Sequence, residues 1–291
     1  MAIVNQTSNP ELFPLYYERK LLSYVKENLL GLKFGQKFTM PMNSGRTAVF
    51  TRFQPLPPVT EPITNLPTPQ QGANISSQQI QATIQEYGNY IDLDEFTDVT
   101  SFTPVMDAAI DLLSYNAQQS LDRIVISELL TGTNVIYASG ANSRAELTGN
   151  KTLTKTDIRK AVAQLMRNNI PTFPDGYYVC LIHPDKAINL FSDTELIQLA
   201  IAKNQAFEKG LIGEFAGVKF YTTTALTPTE GIYETLVIGQ NAYGLVDVDS
   251  KTLQVVYTNL DKLGRIKTVG WKAYFAAKRL YEPAIVRIES N

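Results

Sequence analysis

Six of the fifteen prolines in this 291-residue chain fall within fifteen residues: Pro55, Pro57, Pro58, Pro62, Pro67 and Pro69. They separate two runs that alternate like β-strands, Arg46 to Phe53 and Gln79 to Tyr87. A connection of ~25 residues cannot be a tight hairpin, and compact domains rarely hold a structureless loop that long. Each proline removes a backbone donor and fixes φ, so the connecting segment cannot form a sheet of its own. The pattern predicts an extended arm that projects from the body. Such an arm suits a protein that grips its neighbours better than it suits a monomeric enzyme.

The rest of the chain can supply a large core, because 44% of its residues are hydrophobic. Charged residues make up only 19%, below the usual ~25%. Polar uncharged side chains replace them, as on a surface largely covered by other protein. With one cysteine, Cys180, and one histidine, His183, an internal disulfide and a multi-cysteine metal site are excluded. The first ten residues show neither a basic segment nor an apolar run, so no signal peptide is expected. No apolar stretch reaches the ~18 residues of a membrane span, and a soluble protein made in the cytoplasm is expected.

The net charge of −2 conceals an asymmetry. Residues 1–60 carry a balance of +4, residues 61–131 a balance of −9, and residues 251–291 a balance of +5. Basic ends and an acidic middle can attract each other within a subunit or between subunits. Neither end has the density of a nucleic-acid-binding tail.

Helix and strand signals follow in order. An amphipathic helix is predicted over Leu15–Leu30, ended by Gly31. A long helix is predicted over Pro104–Leu130, with Val105, Ala109, Leu112, Leu113, Ala117, Leu121, Ile124 and Leu129 as its apolar stripe and Gly132 as its stop. At 1.5 Å per residue it would span ~40 Å, the length of a spine. A second helix opens with Thr154 and Asp157 at capping-box spacing and buries Ile158, Ala161, Val162, Leu165 and Met166. Pro174-Asp175-Gly176 reads as a turn, Tyr177–Ile182 as a buried strand, and Ser192 to about Asn204 as a third helix. A glycine-rich loop over Gly210–Gly217 leads into the strand Val218–Thr223. Further strands are predicted at Glu234–Ile238, Leu245–Val248, Thr252–Asn259, Ile266–Leu280 and Ala284–Glu289.

Three constellations could carry chemistry. Asp92, Asp94 and Glu95 resemble a carboxylate site for a divalent cation, but alternation with Ile91 and Leu93 is the pattern of a half-buried strand with a solvated face. His183, followed by Asp185, sits at a strand end where ligands often bind. Cys180 would point to the opposite face of that strand, so a backbone-bonded turn histidine is the expected role. Gly210, Gly213 and Gly217 match no phosphate-binding spacing. No catalytic, cofactor-binding or metal-binding residues are assigned, no cofactor is expected, and the chain is not read as an enzyme.

Several local motifs occur in a characteristic order: Tyr87-Gly88-Asn89-Tyr90 with the acidic run to Asp98, then Leu130-Thr131-Gly132-Thr133-Asn134-Val135, then Thr156-Asp157-Ile158. Tyr178 to Pro184, Gly210 to Val218, and Val269-Gly270-Trp271-Lys272-Ala273-Tyr274-Phe275-Ala276-Ala277-Lys278 complete the set. In this order the chain resembles the major capsid proteins of tailed bacteriophages, more narrowly a podophage-associated capsid family. The resemblance implies the α+β Hong Kong 97-like fold. It assigns residues 1–36 to an N-arm, 37–98 to an extended E-loop arm, 99–149 to the spine helix of a peripheral P-domain, 150–250 to an axial A-domain, and 251–291 to terminal P-domain strands. The implied function is self-assembly into an icosahedral shell enclosing double-stranded DNA. An encapsulin-like compartment shell is the alternative.

The implied partners are other copies of the chain in pentamers and hexamers, a separate scaffolding protein, a portal, a decoration protein, and non-specifically packaged DNA. A membrane is not among them. The implied location is the virion, with assembly in the host cytoplasm. Some shells of this kind are linked through an arm lysine, but here no lysine lies between Lys37 and Lys151, so non-covalent stabilisation is expected.

Overall fold

In the structure, a computed structural model, residues 30–58, 60, 74–100, 105–149, 151–191, 211–249, 253–261 and 263–291 are described. The helix expected from Ser192 to Asn204 lies outside them, as does the helix expected from Leu15 except for its last residue. Gly31 does not end a helix: Leu30–Phe34 is helical (α1). The chain continues through β1 (Gln36–Met40), β2 (Thr47–Phe53), β3 (Ser77–Thr83) and β4 (Gln85–Asp94) to a short helix, α2 (Glu95–Thr100).

The spine is α3 (Val105–Leu130), 26 residues long and therefore ~39 Å at the α-helical rise. It is followed by β5 (Val135–Tyr137), α4 (Lys155–Arg167), β6 (Tyr178–Ile182) and α5 (Pro184–Phe191). Strands complete the chain: β7 (Leu211–Phe215), β8 (Val218–Thr222), β9 (Tyr233–Ile238), β10 (Tyr243–Val248), β11 (Gln254–Asn259), β12 (Ile266–Arg279) and β13 (Ile285–Ser290).

Two sheets organise the body. The longer one is built on β12, whose residues 267–272 pair with β4 on one edge and with β11 on the other. Beyond β11, β12 pairs with β10, and β1 adds to β10 in parallel. The second sheet has six strands in the order β5-β13-β9-β6-β8-β7. Its centre is apolar throughout, as in β6, where all five residues are buried. That is the reading expected of a strand covered on both faces. Strands cross the sequence-drawn intervals, β5 from 99–149 joining the six-stranded sheet among them. β10, from the 150–250 interval, joins the long sheet, while β13, from the terminal interval, joins the six-stranded one.

The buried face of α3 is formed by Ala109, Ile110, Leu113, Ser114, Ala117, Leu121, Val125, Ile126 and Leu129. This corrects the expected stripe, because Leu112 is exposed and Ile110, Val125 and Ile126 are buried. The helix packs on β12, β4, α1 and β9, so its covered side is wider than one stripe. Ser114 is accommodated there because its hydroxyl donates to the Ile110 carbonyl at 2.7 Å. In α4 the capping box forms as expected: Thr154 Oγ1 accepts from Asp157 N, and Asp157 Oδ2 accepts from Thr154 N. Ile158, Ala161, Val162 and Leu165 are buried, while Met166 is exposed.

Candidate assembly surfaces

Among the described residues β2 and β3 pair only with each other, in antiparallel register from Thr47↔Thr83 to Phe53↔Ser77. The predicted long strand Gln79–Tyr87 is therefore two strands. It divides at Ile84, whose N–H donates to the Arg46 carbonyl at 2.8 Å. β4 and all of β1 but Gln36 fall in the 37–98 interval and pair with the body, so the free part of the arm is the two-stranded ribbon.

At its base the ribbon is seated. Ala48, Ala82 and Ile84 pack with Met40, Val246 and Ala276 in a small cluster of their own. Phe50 lies against Gly244, where a Cβ would stand 2.7 Å from Phe50 Cζ, so only glycine admits the ring. The Arg52 guanidinium sits 3.1 Å from the centre of the Tyr281 ring, a cation–π contact. Farther out the seating ends. The ladder continues through Gln54 N–H donating to the Ser76 carbonyl at 3.0 Å, but residues 53–58 and 74–79 are all exposed.

The motif residues are explained by close packing. β4 and β12 meet at Gly88↔Lys272 and Gly270↔Tyr90. A Cβ on Gly88 would lie 2.6 Å from the Trp271 carbonyl oxygen, and one on Gly270 would lie 2.8 Å from Tyr90 Cβ. Above this junction, Asn116 of α3 accepts from Trp271 Nε1 at 3.1 Å and from Asn89 Nδ2 at 3.2 Å. The spine thus hangs on both strands.

The C-terminal end of α3 is fastened by charge. Arg287 donates to the Leu130 carbonyl; Glu282 accepts from Thr133 N at 2.5 Å through Oε1 and pairs with Arg279 through Oε2. Arg287 in turn meets Glu289 at 3.1 Å, and Arg144 reaches Glu289 at 3.2 Å and Glu234 at 3.3 Å. Glu289 is 1% exposed, and these two guanidinium groups are its ion-pair partners in place of water. Sequence reading missed this network, since its members lie far apart in the chain.

The charge asymmetry is answered in part inside the subunit. Lys278 pairs with Glu128 at 2.9 Å, Lys267 with Glu95 at 3.0 Å, and Thr268 Oγ1 donates to Asp92 at 2.6 Å. The Glu95 carboxylate raises the Lys267 pKa by hydrogen bonding.

The three carboxylates of that acidic run each have a partner of their own. Asp92 and Glu95 are engaged with β12, and Asp94 accepts from Thr97 at 3.3 Å. Among the described residues no group of three or more His, Cys, Asp or Glu side chains is placed to hold a metal. His183 bonds to backbone, as expected, but as the residue that opens α5 rather than in a free turn: its Nδ1 accepts from Asp185 N at 3.2 Å and its carbonyl accepts from Lys186 and Ala187 N. Tyr233 OH donates to Asp185 Oδ2 at 3.0 Å, and Lys186 Nζ lies 4.3 Å over the Tyr233 ring. Burial lowers the Lys186 pKa, with Asp185 opposing. Burial drives the Cys180 thiol far upward, so it stays protonated.

The glycine-rich segment is not a loop. Residues 211–215 are strand β7, which turns back through Ala216 (φ 52°) and Gly217 (φ 79°) to pair with β8. Gly213 marks a register shift in that hairpin.

A family model described as phage capsid protein matches residues 77–288. A search of curated protein sequences gave no match. Among solved structures, the capsid of Ralstonia phage GP4 aligns at TM-score 0.73 and 15% identity, covering 88% of this chain and 86% of that one. The capsid of cyanophage P-SCSP1u aligns at TM-score 0.69 and 16% identity, covering 91% and 88%. The SrpI encapsulin of Synechococcus elongatus aligns at TM-score 0.57 and 10% identity, covering 89% and 85%. The fold is therefore the α+β Hong Kong 97-like fold of these shells.

Proposed function

This chain belongs to the phage capsid protein family and is a capsid shell protein, and we propose that its copies close into an icosahedral shell around double-stranded DNA, each gripping a neighbour with its ribbon. The observation that carries the proposal is the contrast along β2 and β3: a seated base, then an outer stretch in which residues 53–58 and 74–79 are all exposed. A two-stranded ribbon alone is marginal in water, and this one presents Val49, Phe53, Leu56 and Ile75 to solvent. Burial of a side chain of that size contributes roughly 1.5–3 kcal/mol, so a neighbour's surface would stabilise what the subunit leaves bare.

The role is structural rather than catalytic on this reading. The virion is its location, and its copies are its principal partners, gathered as pentamers and hexamers. A portal, a separate scaffolding protein and a decoration protein are the further partners of such a shell, assembled in the host cytoplasm. The six-stranded sheet serves as the axial region and the spine with the long sheet as the peripheral one. The encapsulin likeness is a likeness of fold at lower TM-score, and analysis of co-purified contents separates DNA from protein cargo.

Deleting residues 55–78 tests the role of the arm. The variant should stay soluble with near-native circular dichroism and form no shells. Loss of the folded monomer would place the arm in the subunit's own core and refute the proposal.

A further inference from the structure

Where the ribbon leaves its seat, its inner face and the body diverge around a cleft of about 290 Å³. Register fixes which face that is. Ala48↔Ala82, Phe50↔Ile80 and Arg52↔Gln78 are successive cross-strand pairs on one side of the ribbon. The first pair is buried, and Phe50 of the second lies against Gly244. Arg52, Gln78 and Ile80 line the cleft from the ribbon, while Glu128 of the spine and residues 278–283 line it from the body.

The charges of the cleft do not cancel. Glu128 pairs with Lys278 at 2.9 Å, and Glu282 pairs with Arg279. Arg52 is the charge left over: among the described residues no carboxylate pairs with it, and its guanidinium lies on the Tyr281 ring. A guanidinium stacked on a ring keeps its N–H edge free in its own plane. That edge takes a planar oxyanion through two parallel hydrogen bonds. The Gln78 amide, opposite Arg52 on the ribbon, brings a further donor. The remaining lining is apolar, from Ile80, Leu280 and Pro283. A charged fork beside an aliphatic wall suits a carboxylate on a short apolar stem. A phosphate would fill only part of the cleft and would set nothing against that wall.

We propose that this cleft binds a peptide carboxylate of a partner protein, from a chain end or an acidic side chain, held bidentate by Arg52. Such a ligand touches ribbon and body at once, and so fixes the angle at which the ribbon leaves the subunit. The site belongs to a single subunit and goes beyond the shell reading.

Saturation-transfer NMR on the full chain tests it with two probes, N-acetyl-leucine for a chain end and N-acetyl-glutamic acid α-amide for an acidic side chain. One of them should bind, and whichever does identifies the source. Converting its carboxylate to an amide should weaken binding to the parent protein roughly tenfold or more, a comparison that needs no variant. Arg52→Lys keeps the charge but loses the fork, and should weaken binding by a similar factor with circular dichroism unchanged. Bound probe should also slow hydrogen exchange at the amides of Val49–Phe53. Acid and amide forms that bind equally, binding untouched by Arg52→Lys, or inorganic phosphate that binds more tightly than either probe overturns the carboxylate assignment. Binding by neither probe overturns the site. None of these results bears on the shell reading, which is judged by whether the parent chain forms particles.

Discussion

Replacing Gly88 by alanine would test whether β4 and β12 meet in the register described. The added methyl carbon would stand 2.6 Å from the Trp271 carbonyl oxygen, whereas unstrained carbon–oxygen approaches are about 3.3–3.6 Å. The obstacle is backbone, not a movable side-chain tip, so the strands must part by several tenths of an ångström. Overpacking of this kind costs about 1–3 kcal/mol. Parting the strands also loosens the two hydrogen bonds that Asn116 accepts from Trp271 and Asn89, each worth about 1 kcal/mol. A total near 2–4 kcal/mol follows. For a chain of this size that lowers the melting temperature by roughly 3–7 °C.

The assay is thermal and urea unfolding of unassembled subunit, with Gln81→Ala on the exposed ribbon face as reference, expected within about 0.5 kcal/mol of the parent. A Gly88→Ala subunit as stable as that reference would refute the register and the account of both glycine motifs.

Arg287→Met removes the donor to the Leu130 carbonyl and leaves buried Glu289 with Arg144 alone; denaturant unfolding should show a loss of about 3 kcal/mol, since breaking a buried pair is costly. Asp122 is raised above its ordinary value of 3.8 by burial, against the opposing hydrogen bond from Gly31 N. Its ionised form thus destabilises the fold at neutral pH, and the cost is relieved as pH falls through the raised value toward 3.8. Asp122→Asn should accordingly be more stable than the parent at neutral pH, with the difference shrinking on acidification in pH-resolved melts. Because no lysine lies between Lys37 and Lys151, boiled and reduced particles should run as one band near 32.4 kDa; a ladder of multimers would show covalent linkage through another lysine.

What the sequence made readable was local. The Thr154–Asp157 box, the length of the spine and the strands from Tyr233 onward rest on signals carried by neighbouring residues. The stripe of α3 was misjudged at Leu112 because the helix is covered by elements from four parts of the chain, and periodicity reports only one face. β1 escaped notice because its lone buried residue is Met40, so nothing alternates. α5 was given no element from the sequence, although the proline after His183 is of the kind tolerated in the first turn of a helix. The 211–217 segment looked like a loop because its turn places Ala216 at positive φ, a conformation that alanine does not advertise. The arm was legible from its prolines, but its seat was not: Phe50 on Gly244 and Arg52 on Tyr281 join residues nearly two hundred or more positions apart.

Electron microscopy of the purified full chain, with its mass distribution followed as concentration rises, tests the central claim most directly. The account predicts closed shells of uniform diameter built from a single 32.4 kDa polypeptide. A chain that stays monomeric at every concentration reached, with the folded subunit intact, would contradict it.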